Sequence, residues 1–352
     1  MVQAEVVEAV EVAAEAAVGN LLGTTHPLSK GGKAMVLYMN REKRDSWFKR
    51  CGALLMAAAF IVLAISAPSQ AETVKQRTFA SPEEAVKALV DALKSNDAKA
   101  VEAIFGPGSR DILLSGDAVA DKAVVEKFLS RYGEKHRLEV TEAKANLNIG
   151  NDDWPFAVPL VKKEGLWCFD TKAGREEILA RRIGQNELSA IQVCLAYVDA
   201  QREYALKDRD GDGLLEYAQK FGSDKGKKNG LYWKVAEGEE QSPLGPLAAA
   251  AQKQGYSKKG QEPEPFYGYY YRILTGQGKN APGGAYDYAV KGNMIGGFAL
   301  VAYPAKYGIS GVMTFIVNHN GVVYQKDLGM HTEKTAQALK LFNPDSTWKK
   351  VQ

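Results

Sequence analysis

Between residues 172 and 205 the chain carries one long amphipathic helical pattern, and this stretch limits the fold more than any other. Its later part, 187–204, sets Leu188, Ile191, Leu195, Val198 and Tyr204 on or near one face, the spacing of a helix that buries a single stripe. Gly184, followed by Asn186 and Glu187, predicts a break and restart inside it. The helix is followed by an acidic glycine loop, a short proline-punctuated helix at 244–254 and a strand-rich end. Strands are expected at 265–274, 296–304, 311–317 and 322–327, with Asn320-Gly321 joining the last two as a hairpin. A helix at 333–341 closes the chain.

Upstream the grammar differs. Ser81-Pro82-Glu83-Glu84 opens a helix, with Ser81 as N-cap, Pro82 at N1 and Glu84 in a capping box. Ala85, Val86, Leu89, Val90 and Leu93 then recur at helical spacing. Further helices are expected at 98–105 and 121–132, and strands at 136–143, 154–162 and 166–170. Helices first and antiparallel strands after them predict an α+β layer plan, with a boundary between 72–171 and 172–352.

The first 71 residues read as processing signals. Residues 40–50 carry five basic side chains, 51–67 are small and apolar, and Ser69-Gln70-Ala71 offers small residues at −3 and −1. That is the order of a secretory signal peptide, 39–71, cleaved before Glu72. A membrane span near the lower length limit is the alternative. Residues 1–38 then read as a mis-called extension, and the working protein as periplasmic or secreted. A composition of 45% hydrophobic and 25% charged residues excludes long disorder, and a net charge of +3 gives no nucleic-acid footprint. In an oxidising compartment Cys168 and Cys194 could pair, or could stay as two buried thiols.

Several pieces carry resemblances. Helices before a curved sheet resemble the cone of the nuclear-transport-factor-two superfamily. The helix 186–204 and the hairpin 311–322 resemble the globular head of type IV pilins and pseudopilins. The apolar run stands before a conventional cleavage site, however, and a whole region separates it from that head, so a filament subunit does not fit. Arg181-Arg-Ile-Gly-Gln-Asn-Glu-Leu188, Gly230-Leu-Tyr-Trp233, Gly268-Tyr-Tyr-Tyr-Arg272, Ala281-Pro-Gly-Gly-Ala-Tyr286 and Met294-Ile-Gly-Gly-Phe298 are together similar to an exported bacterial family, domain of unknown function 2950. That resemblance implies no activity.

The sharpest local motif is Asp208-Arg-Asp210-Gly-Asp212-Gly213-Leu-Leu-Glu216. Carboxylates at alternate positions before a glycine can wrap one hard cation, with Leu214 offering a carbonyl and Glu216 a further carboxylate. Gln219 stands where an EF-hand needs its bidentate glutamate, so only weak calcium binding is expected. The other reading is an acidic turn whose Asp side chains bond their own backbone. Either way the loop's role is structural.

Other candidates are weaker. Histidine is scarce after residue 71: His136 opens a strand, His319 and His331 read as solvated, and no H-E-x-x-H pair, G-x-S-x-G elbow or P-loop occurs. The lysines at 225–228 and Lys258-Lys259 read as solvated loops. Strand alternation sets Tyr267, Tyr269 and Tyr271 on one face as a possible contact surface for an envelope protein or a glycan, with core packing as the competing reading. The expectation is a non-enzymatic exported binding or assembly module. Its alternative is an envelope hydrolase or ligand-processing enzyme built in the cone.

Overall fold

The computed structural model describes residues 75–236, 238–253, 256 and 264–351. The expected extension, signal peptide and cleavage point lie outside these residues, as do Lys258 and Lys259. Among the described residues no helix is long and apolar enough to cross a membrane.

The first helix, α1 (Pro82–Lys94), begins where its cap residues dictate. Ser81 accepts from the Glu84 N–H at 3.2 Å, and Glu84 reaches back to the N–H of Ala80 at 3.1 Å, one residue before the cap. Its stripe of Ala85, Val86, Leu89 and Val90 is buried. Next come α2 (Ala98–Phe105), the single turn α3 (Arg110–Leu113) and α4 (Ala118–Glu134). The strands β1 (His136–Val140), β2 (Lys144–Ile149), β3 (Trp154–Pro155), β4 (Leu160–Lys163) and β5 (Leu166–Phe169) form an antiparallel sheet of order β1-β2-β4-β5, with β3 also on β2. An apolar cluster that includes Leu89, Ile104, Leu147, Leu160, Trp167 and Phe169 fills the space between helices and sheet. The segment expected as one strand at 154–162 is two, parted by the buried Val158, which packs against Gly174.

The long helix, α5 (Thr171–Tyr204), runs through Gly184 without the expected break. Gly184 faces open space, so its cost is the backbone entropy of roughly 1 kcal/mol against Ala. Contacts on either side override it. Arg182 donates to the Asp111 carbonyl at 3.1 Å and to that of Ile112, Asn186 to the Ser310 carbonyl at 2.9 Å, and Glu187 accepts the Val312 and Met313 N–H groups at 3.0 and 2.9 Å.

After α6 (Gly245–Lys253) come β6 (Tyr269–Leu274), β7 (Gly276–Gln277), β8 (Tyr286–Asp287), β9 (Ala289–Val290), β10 (Asn293–Met294), β11 (Ala299–Pro304), β12 (Met313–Asn318) and β13 (Tyr324–Asp327). The helix α7 (Thr332–Ala338) and β14 (Lys349–Lys350) complete the chain. A second antiparallel sheet has the order β14-β13-β12-β11-β6, and β7–β8 and β9–β10 form two small ladders. All of β11 is buried on both faces. The helix α5 lies against β11 and β12, and α7 against β11. The expected hairpin is present: β12 and β13 pair around Asn320-Gly321, with Gly321 at φ 76°. Both apolar clusters belong to one compact unit, and the architecture is α+β as expected.

Candidate functional site

The acidic loop leaves the C-terminus of α5 and is held at both ends by side chains other than its carboxylates. At its start Arg209 turns inward, its side chain 5% exposed, over the rings of Tyr204 and Trp233 at 5.7 and 5.3 Å. Its guanidinium meets Glu240 at 3.5 Å. With Arg209 inward, Asp208 and Asp210 are both exposed. At the far end the fully buried Gln201 accepts from the Ala218 N–H at 2.8 Å and donates to the Ala218 carbonyl at 2.7 Å, tying the exit of the loop back to α5.

Between these anchors Asp208, Asp210 and Asp212 bring one carboxylate oxygen each within 4.8 Å of one another. Asp208 accepts the N–H groups of Gly211 at 2.7 Å and Gly213 at 2.9 Å, which hold its carboxyl below the usual carboxylate range. Both glycines have left-handed φ, 82° and 88°, which lets the loop curl around Asp208. Asp212 accepts from the Leu214 N–H at 2.8 Å and from the Asn293 amide at 3.1 Å. Glu216 is half-buried and accepts the Met294 N–H at 3.2 Å; burial, then the charges of Asp210, Asp212 and Asp208, push its carboxyl up. Leu214 is exposed and meets the cluster only through its N–H, and the exposed Gln219 turns elsewhere, donating to the Gly292 carbonyl at 2.6 Å.

This arrangement suits a hard, oxygen-loving cation: three carboxylates converge, and a fourth stands within electrostatic reach. It is equally a set of Asx-type turns. The sequence displayed the carboxylates but not Arg209, Gln201 or Asn293, whose roles depend on which way the chain turns. The alternation Asp-Arg-Asp was the available signal for Arg209.

The aromatic strand differs from its expectation. Phe266 and Tyr269 exchange backbone hydrogen bonds of 2.8 and 3.0 Å around Tyr267 (φ 47°) and Gly268 (φ 69°), a two-residue turn with both central residues left-handed. The alternation therefore begins only at Tyr269. Tyr269 and Tyr271 are buried, at 0% and 2% exposure, and Tyr267 packs against the rings of Phe266 and Tyr256. The expected contact surface is thus replaced by core packing.

His319 is also corrected. Its ring lies edge-on to Tyr288 and Phe298 with a buried Nδ1, and burial, then Arg202, pull its pKa down. Gly297 makes the room, since a Cβ there would stand 2.6 Å from that nitrogen. His136 and His331 are exposed. Cys168 and Cys194 are free, buried thiols. Lys225 and Lys227 are exposed, and Lys228 lies over the Trp233 ring at 5.5 Å.

A shallow groove of about 410 Å³ runs between α5 and residues 243–247, lined by Leu195, Asp199, Glu203, Pro243 and Leu247 among others. Its two carboxylates lie on one turn of one helix, without an opposing base, acid or nucleophile to act with them.

The family described as Protein of unknown function (DUF2950) matches residues 76–351, and the chain belongs to it. No curated protein and no solved structure matches the chain.

Proposed function

We infer that this member of a family without assigned chemistry is a non-enzymatic binding or assembly module of the cell envelope, braced by a weak structural calcium site at Asp208, Asp210 and Asp212. In this reading residues 39–71 direct export to the periplasm or the exterior, and the partner is an envelope protein or a glycan rather than a nucleic acid. The finer architecture we propose is a nuclear-transport-factor-two-like cone followed by a pilin-like head.

The observation that carries the reading is the convergence of three carboxylates on a loop already pinned by Arg209 and Gln201. Such a site would join the end of α5 to the β9–β10 ladder, which Asp212 and Glu216 already touch through Asn293 and Met294. The enzymatic alternative asks for a polar pocket in the cone. The apolar packing of Leu147, Leu160, Trp167 and Phe169 against the helices weighs against it.

The test is thermal melting of the full chain in millimolar calcium and in chelator, beside Asp210→Asn. A ligand bound only by the native state raises Tm by mass action. With a Kd on the order of 0.1–1 mM, as in extracellular modules, about 10 mM calcium should stabilise by roughly 1.5–3 kcal/mol, and the variant should lose the shift. Equal melting in calcium and chelator would reduce the loop to an acidic turn.

A further inference from the structure

The two edges of the N-terminal sheet are finished differently. Beyond β5, Phe79 exchanges backbone hydrogen bonds of 2.8 Å in both directions with Trp167 and closes that edge. At the other edge β1 ends the sheet, and no strand among the described residues pairs with its far side. Four of its five residues are exposed, with Leu138 half-buried. The second sheet ends on one side in β14, two residues long and both lysine, the kind of short charged edge that discourages pairing, and on the other in β6, none of whose six residues is exposed. The strand β1 is longer and its charges balance: Arg137 and Glu139 share one face, 2.8 Å apart and each about half exposed.

The ladder fixes which groups β1 leaves open. Gly150 N–H donates to the Lys135 carbonyl at 2.8 Å and Thr141 N–H to the Lys144 carbonyl at 2.7 Å. In an antiparallel pair, hydrogen-bonded residues alternate, so Lys135, Arg137, Glu139 and Thr141 bond to β2. His136, Leu138 and Val140 therefore point their N–H and C=O groups outward, away from the sheet.

We propose that β1 is a self-association edge, at which a second copy of this chain adds its own β1 in antiparallel register about a two-fold axis through Leu138. In that register Leu138 meets Leu138 of the second copy and His136 meets Val140, and these pairs exchange their outward backbone hydrogen bonds. Arg137 then stands opposite Glu139 of the second copy in a non-hydrogen-bonded pair, the geometry in which cross-strand side chains approach closest. A slip of one residue faces outward groups with inward ones. A slip of two sets Arg137 against Arg137 or Glu139 against Glu139. The charges thus select a single register as well as the partner.

The parity of the strand also supplies a clean test. Proline at 138 removes an N–H that β2 does not use, so Leu138→Pro should keep the β1–β2 ladder and lose the second copy. Sedimentation velocity of the full chain over a concentration series should show a dimer. Arg137→Glu and Glu139→Arg should each be monomeric, since each sets like charges opposite one another. An equimolar mixture of the two should recover the dimer as a heterodimer, because every opposed pair is then again of opposite sign. Thermal melting of each variant alone, matching the parent at a concentration low enough for the parent itself to be monomeric, separates loss of association from loss of fold. A wild-type chain that stays monomeric at its highest soluble concentration overturns the proposal, as does a dimer indifferent to all three substitutions. A dimer broken by Leu138→Pro but not by the charge variants overturns the two-fold register.

Discussion

The two apolar cores of this chain are built from different materials. The cluster between the N-terminal helices and sheet is hydrocarbon: Leu89, Ile104, Leu147, Leu160 and Phe169 are buried there at 1% exposure or less. The cluster between α5 and the second sheet is laced with tyrosine. Tyr197, Tyr204, Tyr269, Tyr271 and Tyr288 are all among its largest fully buried side chains, while the first cluster holds none of them. Each of the five hydroxyls has a partner: the carbonyls of Ala299 (3.3 Å), Lys228 (2.9 Å), Met313 (2.9 Å) and Phe266 (3.4 Å), and the amide oxygen of Gln277 (2.8 Å).

The difference shows two ways of specifying a packed region. Hydrocarbon side chains are rewarded for burial in nearly any arrangement that fills the space, so the N-terminal layer depends on its pattern and volumes. A buried hydroxyl penalises every arrangement that leaves it unpaired. Each tyrosine of the second core therefore binds helix, strand and loop in one geometry: Tyr197 joins α5 to β11, and Tyr204 joins its end to the 220s loop. Burial also pushes these phenols up, that of Tyr288 to about 12, so they remain hydrogen-bond donors through the alkaline range.

The largest expected effect tests whether the two cores unfold as one. Phe169→Ala and Phe315→Ala, one in each core, should each cost about 3–5 kcal/mol. If the regions are coupled through α5, both should lower a single calorimetric transition. Two separate transitions, each answering to one variant, would break the chain into independent units.

A smaller change sharpens the contrast in material. Tyr269→Phe keeps the ring but leaves the Met313 carbonyl without its donor, and should cost about 1–2 kcal/mol in urea unfolding. A neutral result would make the second core a hydrocarbon core in practice.

The smallest effect lies where the two regions meet. Asp117 caps α4 through the Val119 and Ala120 N–H groups at 3.1 and 3.0 Å, and also accepts from the Tyr256 hydroxyl at 2.9 Å and the Gly268 N–H at 3.2 Å. Burial raises its carboxyl above the ordinary range despite these bonds. The folded protein thus binds this proton more tightly than the unfolded chain. Its contribution is full below the unfolded pKa and is lost as pH rises through the folded one. Relative to Asp117→Asn, which does not titrate, wild type should gain stability on acidification through that window. The gain is about 1.4 kcal/mol for every tenfold by which folding tightens proton binding. Urea titrations of both proteins at successive pH values would show it; a constant difference would mean that Asp117 titrates as in the unfolded chain.

Much of the architecture was legible in the sequence because it is local. The Ser81 cap, the stripe of α1, the Asn320-Gly321 turn and the alternate carboxylates of the acidic loop each follow from residues a few positions apart. The misreadings share one cause. Gly184 reads as a break because glycine weakens any helix, and only Arg182, Asn186 and Glu187, bonded to segments remote in the chain, outweigh it. Tyr267 reads as a strand residue because aromatics favour strands, and its left-handed φ places it in a turn. The outward carboxylates of the loop were visible, while the inward Arg209 and the buried Gln201 that hold them were not.

What the sequence determined by itself is therefore the longer helices and most of the longer strands, together with the family and the chemical character of the acidic loop, since propensity, capping and motif spacing act over a turn or two of chain. It did not display β2, α3 or the short strands β7 to β10 and β14. What the tertiary structure decided is which faces those elements bury: tyrosines drawn into a core, the Nδ1 of His319 enclosed beside Gly297, and β1 without a strand on its far side among the described residues. Burial is settled by the whole set of competing surfaces, and no short window of sequence contains that competition.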